Sequence, residues 1–200
     1  MKTLAITIFT VASIVFGIGN SAQATTTNNN NNAGIVLTDI SRINKIEVYG
    51  NVKLYVSSGP VDQVKVYNRY YAESALVQSQ KGVLRISSYK AEKLEVWVTV
   101  KDLNSITAYD NADVRSFGNL SAIELDVKLY NNASATLNLD AYNARVTMND
   151  KTRANLSGTI SEYNLTRSLA SRVNRTDLVV EHSTEVLNGE KVKASEYAVL

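Results

Sequence analysis

Residues 106–114 read Ile-Thr-Ala-Tyr-Asp-Asn-Ala-Asp-Val, and the pattern returns at 127–135 as Val-Lys-Leu-Tyr-Asn-Asn-Ala-Ser-Ala. It comes back at 146–154, Val-Thr-Met-Asn-Asp-Lys-Thr-Arg-Ala, and at 165–173, Leu-Thr-Arg-Ser-Leu-Ala-Ser-Arg-Val. The starts are 21, 19 and 19 residues apart, and a fifth segment, Leu178-Val-Val-Glu-His-Ser-Thr-Glu-Val186, follows after 13. The first three units each offer an inward pair (Ile106 and Ala108, Val127 and Leu129, Val146 and Met148), then a polar corner, then a small or apolar residue that turns back inward. About twenty residues cannot bury such a face alone, so the units must stack and hydrogen-bond to one another. The expected fold is all-β: a right-handed parallel β-helix (solenoid), its hand set by the rule for parallel strand crossovers, with equivalent residues ~4.8 Å apart along the stack. Corner residues such as Asn111 and Asn132 suit the left-handed region, and aligned Asn side chains can bond from unit to unit. Arg167 breaks the pattern, because it falls where Ala108, Leu129 and Met148 point inward.

Upstream, residues 35–102 form a β-rich N-terminal portion in which aliphatic and polar side chains alternate with the period of a strand. Ile46 and Val48 alternate with Glu47 and Tyr49; Val52, Leu54 and Val56 with Lys53, Tyr55 and Ser57; Leu94, Val96 and Val98 with Glu95, Trp97 and Thr99. Turn residues punctuate the runs at Gly50-Asn51, Ser58-Gly59-Pro60 and Lys81-Gly82, and Gly50-Asn51 fits a tight hairpin. Residues 71–80 are the one stretch compatible with a short helix. Residues 103–200 carry the β-helical repeats of the same domain.

At the start of the chain, Lys2, the apolar run from Leu4 to Ile18 and Ala22-Gln23-Ala24 meet the definition of a secretory signal peptide, residues 1–24. Residues 25–34, TTTNNNNNAG, read as a disordered polar leader. The apolar run is shorter than the ~20 residues a spanning helix needs. The expected product is exported, periplasmic, outer-membrane-associated or extracellular, with no membrane span after cleavage.

Composition narrows the chemistry. Twenty-one Lys and Arg against 19 Asp and Glu leave a formal charge of +2, so the chain is not expected to bind nucleic acid, which needs clustered cations. Without Cys there is no thiol nucleophile, zinc ribbon or iron-sulfur ligation, and no Asp-rich loop carries the Gly of a calcium turn. No cofactor or metal site is expected. His182, the sole histidine, is read as a solvated residue at the corner equivalent to Asp110, with no nucleophile elbow beside it.

The run Val48-Tyr-Gly-Asn-Val-Lys-Leu-Tyr-Val-Ser-Ser-Gly59, the strand Gly82-Val-Leu-Arg-Ile86 and the corner motifs Asp110-Asn-Ala-Asp113 and Asn131-Asn-Ala-Ser134 resemble the bacterial family called putative auto-transporter adhesin head GIN domain. The resemblance covers about Ile35 to Val186, with Asn standing in these corners where the family usually has Gly. It implies a β-rich exported domain of unassigned activity from bacteria of the Bacteroidetes type, with adhesion indicated by its label and no catalytic residues to carry over.

The candidate binding residues are Tyr49, Tyr55, Tyr67 and Trp97, whose parity is opposite to the aliphatic positions of their strands, together with Tyr109 and Tyr130, a further outward column on adjacent repeats. Lining one open face, the first four would offer flat amphipathic surfaces to a surface glycan or a cell-envelope protein. The leading expectation is a binding or adhesion module without catalytic activity. An alternative is a polysaccharide-acting enzyme, in which Asp110 and Asp150 share a corner two units apart with Asn131 between them, roughly 9.6 Å, near the upper end for inverting glycoside hydrolysis. A third is a structural or assembly protein that pairs or homo-oligomerises through an uncapped terminal strand, although the charges of Glu190, Lys191, Lys193 and Glu196 would blunt that edge.

Overall fold

The computed structural model describes residues 35–37, 40, 42–67, 75–188 and 190–192. The expected signal peptide and polar leader lie outside the described residues, as do Lys193 and Glu196. The strands are β1 (Ile35–Leu37), β2 (Lys45–Gly50), β3 (Val52–Ser58), β4 (Gln63–Tyr67), β5 (Ala75–Gln80), β6 (Val83–Ser88) and β7 (Leu94–Val100). They continue with β8 (Ser105–Ala108), β9 (Asp113–Leu129), β10 (Ser134–Met148), β11 (Arg153–Arg167), β12 (Arg172–Leu187) and β13 (Glu190–Val192). No helix occurs among the described residues; the C-terminal part of the stretch compatible with one, Ala75–Gln80, is a strand, and residues 71–74 lie outside them.

The right-handed parallel β-helix expected from the repeats is not what forms. The thirteen strands of the described residues belong to one curled, half-barrel-like mixed sheet, in which β1–β4, β4–β7, β5–β6 and β12–β13 pair antiparallel. The reversals come from short turns. Lys81 and Gly82 both have positive φ (50° and 82°), and a two-residue turn of that hand returns the chain antiparallel, joining β5 to β6. The turn from β12 into β13 likewise begins at Asn188, with φ of 47°.

Inside this sheet the long strands β9, β10, β11 and β12 run parallel. One inward column runs through Leu84, Ile46, Ile106, Val127, Val146 and Leu165, each paired with the next across neighbouring strands. All six are buried, and full burial of each aliphatic side chain contributes about 1.5–3 kcal/mol. β2 and β3 thus pair directly with β8 and β9, placing residues 45–58 in the same ladder as the repeats.

The next member of that column is Glu185, opposite Leu165. Leu178, the start of the fifth segment by sequence, pairs with Gly158 instead. An apolar triplet at 178–180 imitates the start of a unit, whereas the true equivalent is acidic. Its charge has partners: Arg167, in the inward column beside Met148, meets Glu185 Oε1 at 2.6 Å, and Arg175 meets Oε2 at 3.1 Å. The oily column therefore ends in an ion cluster, with buried Tyr163 beside it and its phenol pushed up chiefly by burial.

Gly50-Asn51 is not a hairpin, because β2 pairs with β6 and β8 while β3 pairs with β7 and β9. It is a corner. Val48 sits opposite Ala108 and Lys53 opposite Asp113, which places Gly50 level with Asp110. Gly50 (φ 79°), Asp110 (60°), Asn131 (62°) and Asp150 (56°) are all left-handed, so the special conformation falls one residue before Asn111 and Asn132. At Gly50 a Cβ would also collide with the Ser88 carbonyl oxygen, which accepts the Asn51 backbone N–H at 2.6 Å.

Candidate functional site

The corner at Gly50 divides the outward aromatic residues between two flanks of the curl, so Tyr49 does not share a face with Tyr55, Tyr67 and Trp97. On the first flank, Tyr49 stacks on Tyr109 with ring centres 4.7 Å apart and planes 2° from parallel. Tyr109 stacks on Tyr130 at 4.8 Å and 8°. That spacing is the strand spacing itself: the parallel register sets the rings one above another, and both faces of the middle ring, Tyr109, are spent on its neighbours.

Below this stack lies an ion network. Glu47 is buried and receives Arg85 Nε at 2.8 Å, Lys45 Nζ at 2.9 Å and the Tyr49 hydroxyl at 3.2 Å. Burial pushes the Glu47 carboxyl up, but hydrogen bonds and charge from Arg85 and Lys45 outweigh it and hold it below the usual carboxylate range. Burial, reinforced by the Glu47 charge, pushes the Tyr49 phenol up to about 12.

On the second flank, Tyr55 and Trp97 occupy paired positions of β3 and β7 and stack at 4.3 Å with a 25° tilt. Tyr67 meets Trp97 edge-on at 6.3 Å, and Phe117 meets it edge-on from β9 at 5.5 Å. Trp97 is fixed by its indole N–H, which donates to Glu95 Oε1 at 2.9 Å, and Lys53 Nζ lies 5.0 Å from the Tyr55 ring centre. Phe117 and Tyr67 are 65% and 42% exposed, so this cluster presents an apolar surface to solvent.

Phe117 shares the outward parity of Arg115, but no local pattern marks it as a neighbour of Trp97. Arg115 pairs with Thr136 and Asn119 with Asn138, so β9 carries two more residues than β10 across the same interval. Those two residues make the first repeat spacing 21 instead of 19, and they form the bulge from which Phe117 reaches Trp97. Gly118, with φ of 76°, lets the backbone bulge there.

The carboxylates of the enzyme alternative have local work. Asp110 Oδ1 accepts from the Asn131 side-chain amide at 2.8 Å, Asp110 Oδ2 from the Tyr89 hydroxyl at 3.3 Å, and Asp150 Oδ2 from the Asn131 backbone N–H at 3.0 Å. They tie corner to corner. His182 is not at that corner: it pairs with Glu162 across β11 and β12, with Nδ1 3.2 Å from Oε1. Among the described residues no group of three or more His, Asp or Glu is placed to hold a metal ion, and no helix is long and apolar enough to cross a membrane, which says nothing of crossing by strands.

The sequence model of the family described as putative auto-transporter adhesin, head GIN domain, matches residues 42–193. No curated protein matches the chain. Among solved structures, a putative adhesin from Bacteroides fragilis NCTC 9343 is similar with a TM-score of 0.63 and 18% identity, over 77% of this chain and 78% of that one. A putative adhesin from Parabacteroides merdae ATCC 43184 gives 0.52 and 18%, over 78% and 77%. A protein from Parabacteroides distasonis ATCC 8503, described as a putative lipid binding protein, gives 0.54 and 11%, over 78% and 79%. At such identities the likeness is one of fold.

Proposed function

The chain belongs to the putative auto-transporter adhesin head GIN domain family, and from that premise we propose that it is a non-enzymatic binding module of the cell envelope. In this reading the protein is exported, and the Tyr55, Tyr67, Trp97 and Phe117 cluster holds a surface glycan or an envelope protein. The observation that carries it is Phe117: an insertion of two residues sets a largely exposed phenyl ring against the edge of an indole whose orientation Glu95 fixes. An exposed, pre-ordered aromatic cluster costs solvation in the free protein and returns it on contact with a partner. The Tyr49, Tyr109 and Tyr130 stack is assigned to stability, because its rings cover one another in register and all three are partly buried.

The test is a Trp97→Ala, Phe117→Ala double variant screened beside the parent protein on a glycan array, on intact cells and on lipid vesicles, the last because one structural neighbour is described as lipid binding. Lost glycan or cell binding at an unchanged melting temperature supports the reading. Undiminished binding overturns it, and binding to vesicles alone moves the target to lipid.

A further inference from the structure

The flank that carries the aromatic cluster does not end at Phe117. Two outward rows run from it across β9, β10, β11 and β12. One passes Lys65, Trp97, Tyr55, Arg115, Thr136, Asn155 and Asn174. Its neighbour passes Glu95, Lys53, Asp113, Ser134, Arg153 and Arg172. At the spacing of adjacent strands the first row is about 29 Å long.

The charges on these rows are lopsided. Lys65, Lys53, Arg115, Arg153 and Arg172 stand against two carboxylates, and both carboxylates are occupied. Glu95 accepts from Trp97, and Asp113 takes Arg115 at 3.0 Å and the Ser134 hydroxyl at 3.1 Å. Arg153 and Arg172 face each other directly across β11 and β12, both exposed, and neither has an ion-pair partner among the described residues. Two adjacent guanidinium groups with no carboxylate partner make a local positive pair that an anion with two carboxylates would complement. Around the two arginines the rows hold Thr136 and Asn155, with Ser134, whose hydroxyl donates to Asp113, and Asn174, whose Oδ1 accepts from Thr176 while its amide N–H groups stay available; these side chains exchange hydrogen bonds with hydroxyl groups and have no bulk to sink into a bilayer.

We propose that this strip is a binding surface for an acidic polysaccharide, laid across the strands from the aromatic cluster to Arg153 and Arg172, with the arginines taking its carboxylates. The inference rests on the glycan reading of the cluster and names the class of glycan. Extended sugar chains alternate hydroxyls with charge along a length that a row of parallel strands can match, and guanidinium groups recognise carboxylates through paired donors.

The experiment measures binding of polygalacturonate to the full chain, with dextran as the neutral probe and phosphatidylglycerol vesicles as the competing anionic surface. The variants are Arg153→Glu with Arg172→Glu, and Arg153→Gln with Arg172→Gln in case reversal impairs folding. Polygalacturonate should bind more tightly than dextran, weaken as salt is raised, and lose about tenfold or more in affinity in either double variant. Equal binding of polygalacturonate and dextran, or unchanged affinity in a folded variant, overturns the proposal. Vesicle binding that outcompetes polygalacturonate overturns it in favour of a membrane. If the Trp97→Ala, Phe117→Ala variant loses dextran while the arginine variants keep polygalacturonate, the aromatic reading stands and the acidic strip falls. If the aromatic variant keeps both probes, the cluster itself is refuted.

Discussion

The two aromatic groups have the same sequence signature, tyrosines and a tryptophan at outward positions of alternating strands, and the structure uses them in opposite ways. The Tyr49, Tyr109 and Tyr130 rings lie nearly parallel at the strand spacing, above the Glu47 network. The Tyr55 and Trp97 pair is tilted, flanked by two edge-on rings, and extended into solvent by a bulge. Parity states that a ring leaves the core. It does not state whether the ring's faces are free, because that depends on what the neighbouring strand places ~4.8 Å away. Three tyrosines in register stack on one another, whereas the bulged strand sets Phe117 edge-on to Trp97 and leaves it largely exposed.

The corner that separates the two flanks is the place to break the comparison outright. Gly50→Ala forces a Cβ into a left-handed residue and against the Ser88 carbonyl, so urea unfolding should show a loss of about 2 kcal/mol or more. An unchanged midpoint would mean that the corner adapts and the flanks are not rigidly set apart. Next in size, Tyr109→Ala removes the middle ring of the stack and should cost about 2 kcal/mol. A double-mutant cycle between Tyr49 and Tyr109 should return a coupling of about 0.5–1.5 kcal/mol.

The pH dependence sharpens the same contrast from the first flank. Glu47 is held below its ordinary value of 4.5, so its contribution is present above that pH and is lost as pH falls through the lowered value. Melting temperature should drop on acidification below about pH 4.5, and drop less in Glu47→Gln. The Tyr49 phenol is raised from 10.0 to about 12, so its contribution is present below pH 10.0 and fades as pH rises toward 12. Tyr49→Phe should flatten that alkaline loss. The smallest effect belongs to the second flank: Phe117→Ala should change stability by no more than about 0.5 kcal/mol, and a larger loss by thermal melting would make the ring a structural element.

Much of the ladder was readable because its cause is periodic. The column in which Ile106 pairs with Val127, Val127 with Val146 and Val146 with Leu165 follows from near-equal spacing, and the alternation in Val52, Leu54 and Val56 marks side chains that are all buried. The parts that were misread share a different cause. Gly50-Asn51 has the chemistry of a hairpin because hairpins and corners both need a residue with positive φ, and only the distant strands decide which one forms. Leu178 outranked Glu185 because the ions that make an inward glutamate tolerable, Arg167 and Arg175, are brought to it by the fold. The β-helix was an extrapolation from four parallel repeats, and the reversed strands β1, β4, β5 and β13 that make the sheet mixed carry no repeat.

The sequence by itself determined the all-β character, the inward and outward faces of most strands and the register of the first four repeats, since each depends on side-chain period along the chain. Tertiary structure alone decided the curled mixed sheet, the division of the aromatic residues between two flanks, the inward Arg167–Glu185 pair and the contact of Phe117 with Trp97. Each of these is fixed by contacts between residues far apart in the chain, where strand order determines what stands beside what, and no local pattern records that order.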